Sequence, residues 1–131
     1  MKLLLDTHIW IWALNQPDRL SARVRRALQK PTNELYLSPI SIWEACHLER
    51  RGRIRLRQPF EVWVKQALER APVREAPFTS AVVLAAITIE LPQPDPEDAF
   101  LAATAITSEL TLVTADEQLI GCAGVSVLPN R

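Results

Sequence analysis

Short apolar runs alternate along the chain with longer stretches of helical periodicity. Leu3-Leu4-Leu5 is an unbroken apolar run that stops at Asp6 and reads as a first strand. Thr7 can cap a helix over His8 to Leu14, ahead of a turn at Gln16-Pro17-Asp18. Ser21 caps a second helix whose Val24, Ala27 and Leu28 share one face. Leu35-Tyr36-Leu37 reads as a second strand closed by Ser38-Pro39. Ser41 and Glu44 have the S-x-x-E spacing of a capping box, which predicts a helix from there to Gly52.

Pro59 suits the first turn of a further helix carrying Phe60, Trp63, Val64, Ala67 and Leu68. A short connection over 73–77, able to hold a minor strand, leads to an apolar helix from Thr79 or Ser80 to Ile89. Asp95-Pro96 opens one more helix, to about Glu109. Thr111–Thr114 is a strand, Asp116 starts a short helix, and Val125–Leu128 closes the sheet. Strands without polar alternation belong in a sheet covered on both faces, and strands alternating with helices point to parallel α/β architecture. The expected fold is three-layer α/β/α with a central, mainly parallel sheet.

At 131 residues with no internal repeat or linker, one domain over 1–131 is expected. The rigid Leu91–Pro96 stretch reads as a loop into a helix. Fifteen basic residues balance fifteen acidic ones, so nucleic-acid binding would have to use local patches. Cys46 and Cys122 are far apart and have only His8 and His47 as possible co-ligands. Two free thiols in a reducing cytoplasm is the simplest reading. The apolar run at Met1–Leu5 ends too soon for a signal peptide, and no stretch is long enough to span a membrane.

Chemistry concentrates in the acids. Of five aspartates, Asp6 and Asp116 follow strands, and Asp95 and Asp98 sit in a first helical turn. Ligand sites in parallel α/β sheets form beyond the carboxyl ends of the strands, so Asp6 and Asp116 should share that edge. Glu44 and Asp98 can point into the same crevice. Capping gives Glu44, Asp95, Asp98 and Asp116 an ordinary structural duty; Asp6 has no obvious one. Converging carboxylates repel and resist burial, and a hard divalent cation offsets both effects. An oxygen-only ligand set points to Mg²⁺ or Mn²⁺, and such an ion supports hydrolysis of a phosphodiester by an activated water.

Four segments in order resemble the motifs of PIN-domain proteins, most of all VapC-type toxins of type II toxin–antitoxin pairs. They are Leu4-Leu5-Asp6-Thr7-His8, Ser41-Ile42-Trp43-Glu44, Asp95 to Ala105, and Leu112-Val113-Thr114-Ala115-Asp116. The resemblance runs nearly end to end. It implies a Mg²⁺- or Mn²⁺-dependent endoribonuclease with an acidic quartet of Asp6, Glu44, Asp98 and Asp116. It makes Asp6 and Asp98 the principal metal ligands and Asp95 an additional acid. It also implies an RNA substrate, a cognate antitoxin across the crevice, a homodimer and a cytoplasmic setting. Gln93 and Ala99 stand where relatives often carry His and Arg. Thr114 could hold a carboxylate or a water, or serve only as a β-branched strand residue.

Arg50, Arg51, Arg53, Arg55 and Arg57 form a basic run, with Arg23, Arg25 and Arg26 earlier in the chain. These side chains could meet RNA phosphates, face solvent, or pair with an acidic partner. Trp10, Trp12, Trp43 and Trp63 could stack on bases, but they lie among aliphatic neighbours, as packing residues do. His8, alone beside apolar residues, reads as structural. With three glycines in all, a Walker A loop or G-x-G-x-x-G turn is excluded. A phosphoacceptor receiver domain lacks its acid pair after the first strand and its late Lys, since none follows Lys65. The remaining alternative is a non-catalytic interaction module on the same fold.

Overall fold

The computed structural model describes all residues 1–131. Its order is β1 (Lys2–Leu5), α1 (Thr7–Asn15), α2 (Ala22–Gln29), β2 (Glu34–Leu37), α3 (Pro39–Arg50), α4 (Phe60–Arg70) and β3 (Arg74–Glu75), then α5 (Ser80–Ile87), α6 (Pro96–Thr107), β4 (Thr111–Thr114), α7 (Glu117–Ile120) and β5 (Val127–Pro129). The five strands form one sheet in the order β3-β2-β1-β4-β5, and every pairing is parallel. The first strand of the chain is therefore the central strand.

The pleat explains the unbroken apolar strands. Leu4 pairs in register with Leu112, and Leu5 with Val113. Leu4 and Leu112 pack on one face with Leu101, Ala102 and Ala105 of α6 and with Leu119 of α7. Leu3, Leu5 and Val113 pack on the other with Ile9 and Trp10 of α1, Val24 of α2 and Ala67 of α4. Successive strand residues thus enter two cores, so neither alternate position can be polar. Leu3, Leu4, Leu101 and Leu112 are fully buried; each contributes roughly 2 kcal/mol of transfer free energy.

Several element boundaries differ from the sequence expectation, among them the end of α5, at Ile87 rather than Ile89. Helix α3 begins at Pro39, not at Ser41. Ser38 is its N-cap, accepting from the Ile40 N–H at 3.2 Å, and Pro39 presets the first helical φ. Ser41 is consequently inside the helix, and its buried Oγ has no hydrogen-bond partner. No capping box forms. Helix α1 starts one residue early because Asp6, not Thr7, is its N-cap, so Asp6 does carry a capping duty. The last strand is Val127–Pro129 rather than Val125–Leu128. The segment over 73–77 does hold a strand, the two-residue edge β3. No helix is long and apolar enough to cross a membrane, and both cysteines are free.

Candidate active site

The site grows from the carboxyl end of β1. Asp6 continues the ladder through its N–H to the Val113 carbonyl at 3.0 Å, then turns the chain into α1. Its carboxylate is nearly buried, at 7% exposure. Both of its oxygens have donors: the Thr7 N–H reaches Oδ1 at 2.7 Å, and the Thr114 hydroxyl reaches Oδ2 at 2.6 Å. Thr114 ends the neighbouring strand β4, and its Oγ1 accepts the Asp116 N–H at 3.0 Å. Parallel pairing of β1 with β4 thus sets Asp6 beside Thr114 and fixes the backbone that carries Asp116.

Glu44 arrives from α3. Because that helix starts at Pro39, Glu44 lies in its second turn, where its backbone needs no cap. Its Oε1 accepts the hydroxyl of the fully buried Thr7 at 2.6 Å. Asp98 arrives in the first turn of α6, whose N-cap Asp95 accepts from the Glu97 and Asp98 N–H groups at 3.0 and 3.3 Å. Asp98 is 8% exposed. Gln118 of α7 donates to Asp98 Oδ2 at 3.4 Å and accepts the Gln93 N–H at 2.8 Å. Asp116 caps α7 by accepting the Gln118 N–H at 2.9 Å.

Asp6, Glu44, Asp95, Asp98 and Asp116 all line one open hollow of about 380 Å³, with His8, Trp12 and Ala115 completing the wall. No basic side chain other than His8 lines it. The pKa values of Asp6, Glu44 and Asp98 are raised as a result. Burial raises the Asp6 carboxyl above its ordinary value, against the opposing pull of the Thr114 bond, nearby His8 and the Thr7 N–H. Glu44 is pushed up to about 8, first by burial and then by the charges of Glu97, Asp6 and Asp98. Asp98 is pushed up to about 7, by burial and by Asp95, Asp116 and Asp6. Each cause penalises a charged carboxylate.

A divalent cation would reverse these penalties, and the donors are of the right kind: carboxylate oxygens without thiolates. No three His, Cys, Asp or Glu side chains are gathered at the spacing that holds an ion directly. Asp6, Glu44, Asp98 and Asp116 each have an oxygen engaged by a protein donor. Such a hollow suits a small, strongly hydrated ion that takes one or two carboxylates and keeps several waters.

The sequence reading missed Thr7 and Gln118, and left His8 outside. Thr7 ties Glu44 to the start of α1, and Gln118 ties Asp98 to the loop at Gln93. Adjacency to Asp6 was the available signal for Thr7; Gln118 had none, since its role depends on how α7 meets α6. Of the basic candidates, Arg53, Arg55 and Arg57 line a groove beside the hollow; Arg50, Arg51, Arg23, Arg25 and Arg26 do not. Trp10 packs edge-on against Trp63 at 5.2 Å. Trp12 is on the wall of the hollow, and Trp43 is exposed beside His47.

The model of the PIN domain matches residues 3–124 of this chain. The chain is 35% identical over 118 residues to "Ribonuclease VapC22" of Mycobacterium tuberculosis, covering 89% of this chain and 88% of that one. Two solved structures share the fold. VapBC2 from Rickettsia felis bound to a promoter DNA fragment superposes with a TM-score of 0.70 at 20% identity, covering 98% of both chains. DNA-bound VapBC from Salmonella typhimurium gives 0.67 at 19% identity, covering 100% of this chain and 99% of that one. The matched segment contains all the acids of the hollow, from Asp6 to Asp116. With the motif order, the parallel sheet and this hollow in agreement, the chain belongs to the PIN-domain family and, within it, to the VapC proteins.

Proposed function

We propose that this chain is a Mg²⁺- or Mn²⁺-dependent endoribonuclease, the toxin of a type II toxin–antitoxin pair, acting in the cytoplasm as a single domain over 1–131. The observation that carries the reading is the meeting of carboxylates from four separate segments in one hollow, with Asp6 and Asp98 nearly buried. A purely structural surface would not keep acids there against burial and mutual repulsion.

Asp6 and Asp98 would hold the ion, with Glu44 and Asp116 reaching it directly or through water and Asp95 adding charge nearby. When bound, such an ion would neutralise these acids and would supply an acidified water and positive charge beside the phosphate. The chain's own groups do the positioning. Thr7 and Thr114 fix both Asp6 oxygens, the Thr7 hydroxyl aims Glu44, and Gln118 braces Asp98. Glu44 and Asp98, raised to about 8 and about 7, must lose their protons before they can serve as ligands.

The similar solved structures named VapBC support an antitoxin partner. An apolar surface supports a homodimer: α5 exposes Leu84 at 65% and Ile87 at 75%, and Val83 and Ile106 are exposed as well.

The test is cleavage of single-stranded RNA by the purified chain, read on denaturing gels. The parent should cut in Mg²⁺ or Mn²⁺ and stop in EDTA. Asp6→Asn should lose on the order of a thousandfold, in line with the several kcal/mol a catalytic ion supplies. Equal cutting by parent and variant overturns the site. Intact RNA with the parent, together with no binding of Mn²⁺ in calorimetry, favours the non-catalytic module.

A further inference from the structure

A second depression, a groove of about 990 Å³, lies beside the carboxylate hollow. Three stretches distant in sequence build it: Arg19 beyond α1, the loop 53–58 after α3, and the α4 face with Trp63, Gln66 and Arg70. Gly52, at φ +70°, ends α3 and turns the chain into that loop, in a conformation glycine adopts without a Cβ penalty. Arg19, Arg53, Arg55, Arg57 and Arg70 line the groove, and no Asp or Glu does. The ion pairs of the chain are Arg74–Glu34 and Arg131–Glu117, so none of these five arginines is neutralised by one. A concave wall carrying five uncompensated guanidiniums focuses positive potential.

His8 and Trp12 line both the groove and the hollow, so the two run into each other across the start of α1. The Arg19 guanidinium lies over the Trp12 ring, 4.4 Å from its centroid, a cation–π contact at that junction. The acidic hollow by itself repels a polyanion. A strand whose scissile phosphate reaches Asp6 and Asp98 therefore gains by continuing into this adjoining wall of opposite sign.

We infer that the arginine groove is a track for single-stranded RNA flanking the scissile bond, with Arg53, Arg55, Arg57 and Arg70 on phosphate oxygens and Trp12, held by Arg19, stacking on a base. The inference rests on the ribonuclease reading above. Guanidiniums bind phosphates through paired N–H donors, and an aromatic face is useful only to an unpaired base, so the groove reads backbone and single-strandedness rather than sequence.

The test uses Arg55→Gln with Arg57→Gln, against a charge-matched control of Lys30→Gln with Lys65→Gln, in the full chain. Both sets carry Asp6→Asn and are kept in EDTA so that the RNA stays whole. Anisotropy of a fluorescein-labelled, mixed-sequence RNA of about 20 nucleotides is followed from about 50 to 200 mM KCl. The groove pair should weaken binding about tenfold or more and reduce the salt slope by about one to two, one for each phosphate that is no longer neutralised; the control should bind as Asp6→Asn alone does. Equal binding by the groove pair and the control overturns the track. So does loss of poly-glutamate peptide binding with RNA binding unchanged, which would assign the groove to an acidic protein segment. Binding is read without turnover, so a parent that binds RNA through the groove but never cuts it sinks the ribonuclease reading alone. A parent that cuts while groove variants bind normally sinks the track alone.

Discussion

The Thr114 hydroxyl donates to Asp6 Oδ2 at 2.6 Å across two neighbouring strands, and both residues are buried. A hydrogen bond to the charged form favours it, so this contact opposes the burial that would keep Asp6 protonated. Thr114→Val keeps the shape and removes the donor. A bond to a charged group is worth about 1.5–3 kcal/mol, or roughly one to two pH units. The acid limb of the RNA-cleavage pH profile should move to higher pH by that amount, while Thr114→Ser restores it. A lower rate with an unmoved limb would reduce Thr114 to a packing residue.

Without a divalent ion, the site should make the protein less stable as pH rises. The folded-state values of Glu44 and Asp98, about 8 and about 7, lie above their ordinary values of 4.5 and 3.8. The native state therefore binds more protons than the unfolded state between those limits, and stability falls with pH there. The favourable contribution is complete below about pH 4 and lost by about pH 8. Melting in EDTA should show Tm falling from pH 5 to 8.5, and Asp98→Asn should flatten that fall and raise Tm at pH 8 by about 5 °C, on the order of 1–2 kcal/mol. A parent Tm that is flat or rises over this range would contradict strained acids.

Ion binding should release protons for the same reason. At pH 7 Glu44 is largely protonated and Asp98 about half so. Calorimetric titration with Mn²⁺ in buffers of different ionisation enthalpy should show about one to two protons released per ion at pH 7, and affinity should rise from pH 6 to 8.5. Buffer-independent heats at pH 7 would mean that these carboxyls do not serve as ligands.

Two serines separate the observed start of α3 from the expected one. Ser38→Ala removes an N-cap and should cost about 1 kcal/mol. Ser41→Ala removes a buried hydroxyl with no partner and should be neutral or stabilise by up to about 1 kcal/mol. Urea unfolding measures both. If Ser41→Ala were the costlier change, the helix would start where the S-x-x-E spacing first suggested.

What the sequence made legible were features set by local pattern. Leu3–Leu5 and Thr111–Thr114 announced strands covered on two faces, and their register confirms why no polar residue alternates there. The same edge logic brought Asp6, Glu44, Asp98 and Asp116 to one hollow. Local competition was harder to read. Ser38-Pro39 and Ser41–Glu44 both start helices plausibly, and proline's fixed φ decided for the earlier one. That shift released Glu44 from capping and gave it to Thr7. Gln118, and the gathering of Arg19 and Arg70 with Arg53–Arg57, arise from contacts between distant segments that no spacing encodes.

Strand β1 sits in the middle of the sheet, held on one side by β4, which lies far along the chain from it. Asp6 cannot gain the Thr114 hydroxyl, nor the hollow its Asp116 wall, until β4 has joined β1. A chain cut before β4 would thus hold Asp6 without its Thr114 donor and would lack one wall of the hollow.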